Sequence, residues 1–286
     1  MYFKTDPTSS ANEIPRRRRE LAQLARASHG GVISVADAAR VLALPARRAA
    51  MRLNELDRAG WLARVRRGFY FVLPIEARSA RETTPEDPWV LASQLYAPCY
   101  IGGWTAAEHW GLTEQLFGST FVATAASIRS RSETHLGASF KLVRVKPERL
   151  AHLSQVWRGR SRVVVSSAER TIVDAAIDPR WVGGPRHLAD IIATYRATSN
   201  ADEASLGLEL ARSGTGAAAK RLGFLVERLW PAADRLSDAA LARRSTGVIK
   251  LDPTVKRRGE FSTRWRMWIN VTVPDARPSA AVGRKL

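Results

Sequence analysis

Between Ser34 and Val72 the hydrophobic period of the chain passes from helical to alternating, and few folds accept that order. Val35, Ala38, Ala39 and Leu42 mark one face of a short helix, which Ser34 can cap. Leu44-Pro45 makes a turn, with Pro45 suited to the first position of the next helix, where a missing N–H costs nothing. Ala49, Leu53, Leu56 and Gly60 then form a second helical stripe, which predicts a helix from about Pro45 to Ala59. From Trp61 to Val65 the residues alternate, Arg66-Arg67-Gly68 turns, and Phe69–Val72 returns as a second strand. Ahead of this run, Ile14, Leu21, Leu24 and Ala25 share a helical face that ends at Gly30-Gly31.

Three helices followed by a basic hairpin resemble a winged helix-turn-helix. The outer side of the third helix carries Arg47, Arg48, Met51, Asn54, Glu55 and Arg58, with Arg52 on its flank. Guanidinium and carboxamide groups are the donors that read guanine and adenine edges and grip phosphates. Arg47, Arg48, Arg52, Asn54 and Arg58 are therefore expected to enter the major groove. Arg64, Arg66 and Arg67 on the wing, with Arg16 and Arg17 on the first helix, are expected to hold phosphate or minor groove. The bland alternative is a solvated basic face on a protein-binding winged helix.

Charge supports the first reading. The 286 residues hold 45 Lys and Arg against 27 Asp and Glu, a net +18 that attracts polyanions. Residues 1–80 hold 15 basic and 7 acidic residues, a net +8, so the charge is densest where the hairpin lies. The single cysteine, Cys99, allows no internal disulfide, and five scattered histidines show no ligand spacing, so no metal or cofactor is expected. The polar N-terminus resembles no signal peptide, and no window nears the roughly 18 apolar residues of a spanning helix. A soluble, cytoplasmic protein without a membrane partner is expected.

The expected organisation is a flexible leader (1–13), a winged helix-turn-helix (14–75), a polar linker with two prolines (76–88), a larger C-terminal α+β domain (89–275) and a flexible tail (276–286). The overall class is α+β. Within the larger domain, strands are expected at 120–123, 140–145, 162–165, 248–251 and 266–273, and helices at 168–177, 186–198 and 217–230. Thr105 with Glu108, and Ser166 with Glu169, have the spacing of capping boxes. Arg170 and Asp174 stand one helical turn apart and can pair. Two basic runs, Arg158, Arg160 and Arg162, and Lys256, Arg257 and Arg258, fit either a solvated surface or an extra phosphate or protein contact. No Ser-His-Asp order, metal cluster or nuclease-like carboxylate pair is present, and no catalytic residue is assigned.

Three segments of this domain, Tyr100-Ile101-Gly102-Gly103-Trp104-Thr105-Ala106-Ala107-Glu108-His109, Ser167-Ala168-Glu169-Arg170-Thr171-Ile172-Val173-Asp174 and Arg221-Leu222-Gly223-Phe224-Leu225-Val226-Glu227, resemble AbiEi-type antitoxins. They occur in that family's order behind a winged helix, and the match resembles a mycobacterial member, whereas the Ala/Arg-rich composition by itself points only to high genomic GC content. The resemblance implies a non-enzymatic autorepressor of a toxin–antitoxin operon. Its implied partners are double-stranded operator DNA and a nucleotidyltransferase-type toxin, with possible self-association on DNA. An alternative from another class is a nucleic-acid-processing enzyme that uses the winged helix for targeting; a third is a structural adaptor.

Overall fold

A side-chain cap sets the start of the second N-terminal helix. The computed structural model describes residues 7–73 and 87–274, with side chains from residue 17. Helix α1 (Pro7–Ala27) begins seven residues before the expected start at Ile14. Strand β1 (Val32–Ser34) leads directly into α2 (Val35–Val41), whose first turn is capped by the Ser34 hydroxyl accepting from the Asp37 N–H at 3.0 Å. Ala43 then adopts a left-handed conformation (φ 52°) in the turn to α3 (Ala46–Arg58). Pro45 stands at the N-cap of α3, one position earlier than expected. Strands β2 (Leu62–Arg66) and β3 (Phe69–Val72) pair antiparallel, and β3 also pairs with β1, giving the order β1-β3-β2.

Leu24, Ile33, Ala38, Leu53, Leu56 and Leu62 bury this small core. Gly31 is required beside it. Its φ is +78°, and a Cβ there would lie 2.5 Å from the Phe71 ring.

By internal contacts the chain divides into two compact units: Met1–Ala97 with Ser132–Phe140 and Trp157–Val163, and Pro98–Arg131 with Lys141–Val156 and Val164–Leu286. Most of the expected linker lies outside the described residues, as do the tail and the start of the leader. Its last two residues begin α4 (Pro88–Leu95), where the Asp87 carboxylate accepts from the Trp89 N–H.

The next part is mostly strand: β4 (Cys99–Ile101), α5 (Gly103–His109), β5 (Thr120–Thr124), β6 (Ser132–His135), β7 (Ala138–Arg144), β8 (Ser154–Arg158) and β9 (Ser161–Val165). These strands form a sheet in the order β6-β7-β5-β4-β9-β8, with β4 antiparallel to β5 and parallel to β9. Five helices follow: α6 (Ala168–Ile177), α7 (Pro185–Ala197), α8 (Glu203–Ser213), α9 (Gly216–Leu229) and α10 (Asp234–Arg243). A small sheet of β10 (Ile249–Lys250), β11 (Glu260–Ser262) and β12 (Met267–Ile269) completes the described chain. The fold is thus a winged helix-turn-helix followed by a larger mixed α and β part.

One of the two glycines of α9 has a specific duty. A Cβ at Gly223 would come within 2.1 Å of the Trp265 ring, so only glycine lets that indole reach the helix backbone.

Candidate nucleic-acid interface

Helix α3 buries Ala49, Leu53 and Leu56, and this fixes which residues face outward. Arg47, Arg48, Glu55 and Arg58 are exposed, and Met51 between them is 56% exposed. The Asp57 carboxylate accepts from the Arg64 N–H at 3.1 Å, which ties the end of α3 to the start of the wing.

Three of the expected DNA-reading residues have other partners. Arg52 donates to Glu20 on α1 at 2.5 Å and to Glu55 at 2.9 Å, and its side chain is only 23% exposed. Burial opposes its charge, but the two carboxylates outweigh burial and hold its pKa above the ordinary value. It clamps α3 to α1. Asn54 accepts the Tyr70 hydroxyl at 2.7 Å, which turns its carboxamide toward β3. Burial raises the pKa of that hydroxyl, so it remains a donor. Arg66 lies over the rings of Phe69 and Tyr96, 5.3 and 5.4 Å from their centroids, a cation–π site inside the first unit.

The wing is short. A register shift between Arg64 and Arg66 bends β2. The Gly68 carbonyl at the tip accepts from the Val35 N–H at 3.0 Å. Arg64 and Arg67 remain exposed on it. On α1, Arg18 and Arg19 are exposed and Arg17 is half-buried beside a cavity that Glu20 and Arg52 also line. The side chain of Arg16 lies outside the described residues. The arginines that face outward on α3 and the wing are therefore Arg47, Arg48, Arg58, Arg64 and Arg67.

Residues 19–72 match the model of a family described as "Transcriptional regulator, AbiEi antitoxin". This segment is similar to AbiEi-type transcriptional regulators. The match ends at the last residue of the wing. Among solved structures, the chain resembles the crystal structure of the Rv2827c protein from Mycobacterium tuberculosis, with a TM-score of 0.52 and 17% identity over 87% of this chain and 89% of that one. That likeness concerns the fold. No curated protein matches the chain.

The three C-terminal segments quoted above each take part in buried or half-buried polar joints, and the first two meet directly. Asp174, with no exposed surface, accepts the Tyr100 hydroxyl at 2.6 Å and the Arg170 Nε at 2.8 Å, and also pairs with Arg149. Arg170, 2% exposed, reaches the Arg149 carbonyl and Glu209 as well. Burial pushes the Asp174 carboxyl above the usual carboxylate range while Arg170 and Arg149 pull it back, and burial raises the Tyr100 hydroxyl. In the third segment, Arg221 donates to the Ala176 and Ile177 carbonyls at the end of α6, and to the Lys250 and Leu251 carbonyls. Glu227 accepts the Trp265 indole N–H at 2.7 Å and pairs with Arg264. These residues hold helices, strands and turns together.

Two expected caps change. Helix α5 has Gly102 at its N-cap, and Thr105 uses its hydroxyl to accept from the Phe121 N–H at 2.8 Å, leaving Glu108 exposed. The first capping box is therefore absent, because β5 competes for that hydroxyl. At α6 the cap is Ser167, accepting from the Arg170 N–H, while Glu169 accepts from Tyr195 and Ser167. Of the basic run near β8, Arg158 pairs with Asp87 at 2.6 Å and stacks on Trp89, and Arg162 lies over the exposed Trp157. Among the described residues no group of three His, Cys, Asp or Glu side chains is placed to hold a metal ion, and no helix is long and apolar enough to cross a membrane.

Proposed function

We propose that this protein is a DNA-binding autorepressor that also neutralises the nucleotidyltransferase-type toxin of its own operon. The observation that carries the DNA half is the set of five outward arginines on α3 and the wing, in a segment that matches a transcriptional regulator family. Arg47, Arg48 and Arg58 read or grip the major groove, and Arg64 and Arg67 hold phosphate beside it. Arg16 and Arg17 at the first helix add phosphate contacts. Arg52, Asn54 and Arg66 support this face by positioning α3 and the wing. The toxin half rests on the resemblance of the three C-terminal segments to AbiEi antitoxins. Residues 89–275 carry it, joined to the DNA-binding domain (14–75) through 76–88. The protein works in the cytoplasm and is not an enzyme.

The test joins both halves. A reporter behind the DNA upstream of this gene should be repressed by the full chain and released by Arg47→Ala/Arg48→Ala. The same variant should still rescue cells expressing the neighbouring gene, at equal protein level. Repression that survives the double change contradicts the DNA assignment. Failure of the wild-type chain to rescue contradicts the antitoxin assignment.

A further inference from the structure

The second unit contains a cleft of about 720 Å³, within the 300–1,000 Å³ typical of small-molecule sites. Its floor is apolar: Trp104, Phe121, Val143 and Trp181 line it together with Ile128. Trp104 is held rigid, stacked on Phe117 with centroids 4.9 Å apart, edge-on to Phe121, and donating its indole N–H to the Ser119 carbonyl. The rim is cationic. Arg129 and Arg131 come from the segment after β5, and Lys141 and Arg144 from β7. Lys141 shares the half-buried face of that strand with Val143.

No described carboxylate pairs with any of these four cations. The one acid in the lining, Asp178, is already bound by Arg180 through three side-chain contacts of 2.7 to 3.1 Å. A concave site with four unneutralised charges above an aromatic floor suits an anion that also carries a flat apolar ring. A lone inorganic anion would leave the floor wet. A duplex presents its backbone on a convex surface and would leave the floor uncovered.

We propose that this cleft is a nucleotide site, taking the phosphates of a nucleoside triphosphate on Arg129, Arg131, Lys141 and Arg144 and its base against the aromatic floor. The site is separate from the arginines of α3 and the wing, and it stands whether or not those read an operator.

Calorimetry on the full chain tests it with ATP, CTP, sodium triphosphate and adenosine as titrants. ATP or CTP should bind one per chain with Kd in the range of about 1–100 μM. Both triphosphate and adenosine should bind at least about tenfold more weakly, since each lacks half of the recognition. Lys141→Ala and the exposed Arg144→Glu should each weaken the nucleotide by about tenfold or more, the loss expected for a charge-assisted hydrogen bond. Their unfolding curves, and binding by Arg47→Ala/Arg67→Ala, should match wild type. The proposal is overturned if neither nucleotide binds below about 1 mM, if triphosphate alone binds as tightly as ATP, or if Arg144→Glu binds as well as wild type. It is equally overturned if Arg47→Ala/Arg67→Ala abolishes the binding.

Discussion

Two sets of arginines in this chain stand in opposite surroundings. On α3 and the wing, Arg47, Arg48, Arg58, Arg64 and Arg67 stand exposed. In the second unit, Arg170 and Arg221 are buried and fully engaged with carboxylates or backbone carbonyls. Net charge therefore does not locate a binding surface by itself. An exposed guanidinium costs the fold little to keep and gains its energy from a partner. A buried one has lost its water, so it must be satisfied within the fold or it destabilises it. Replacements in the two regions should separate binding from stability.

The largest effect is expected at the buried joint. Asp174→Ala removes the carboxylate that Arg170 and Arg149 share, and breaking a buried pair in this way costs about 3–5 kcal/mol. Urea unfolding should report that loss. A loss under about 1 kcal/mol would mean that the joint is not what holds α6 in place. Next comes Gly223→Ala, where the new methyl meets the Trp265 indole. Overpacking of this kind costs about 1–3 kcal/mol, again without altering DNA contacts. A Gly223→Ala protein as stable as wild type would show that Trp265 can move aside freely.

Smaller and opposite in kind is the contrast between Arg52 and Arg48. Arg48→Ala should leave the midpoint of unfolding unchanged and reduce discrimination between operator and random DNA by about 1–3 kcal/mol. Arg52→Ala removes the clamp between α3 and α1, so it should lower stability by about 1–3 kcal/mol. Once folded protein is counted, it should keep its sequence preference. If Arg52→Ala changes preference and Arg48→Ala does not, the outward face of α3 is assigned the wrong way round.

Local features were legible in the sequence where one element decides them. The Ser34 cap, the hairpin turn at Arg67-Gly68 and the span of α6 follow from spacing and turn chemistry over a few residues. Partner choice across the fold was not legible. Nothing near Arg52 in the sequence points to Glu20, 32 positions away. Asn54 and Tyr70 meet only because α3 packs on β3, and Thr105 serves β5 because that strand places an amide N–H beside it. The pairing of Arg170 with Asp174 was readable from helical spacing, but the arrival of Tyr100, Arg149 and Glu209 was not. The cationic cleft was missed for the same reason. Arg129, Arg131, Lys141 and Arg144 converge only when β7 lies beside β5, and the one available signal was the alternation of Lys141 and Val143 with buried neighbours.

The most direct test of the central claim, that outward arginines of the first unit hold duplex DNA, is the salt dependence of operator affinity. Fluorescence anisotropy between low and physiological salt should give a log–log slope of about −4 to −7, corresponding to roughly five to eight neutralised phosphates. Removing Arg67 or Arg47 should each reduce its magnitude by about 1, and removing Arg66 or Arg52 should leave it unchanged. A slope near zero, or one that responds to Arg66→Ala and Arg52→Ala but not to Arg67→Ala and Arg47→Ala, would contradict the account.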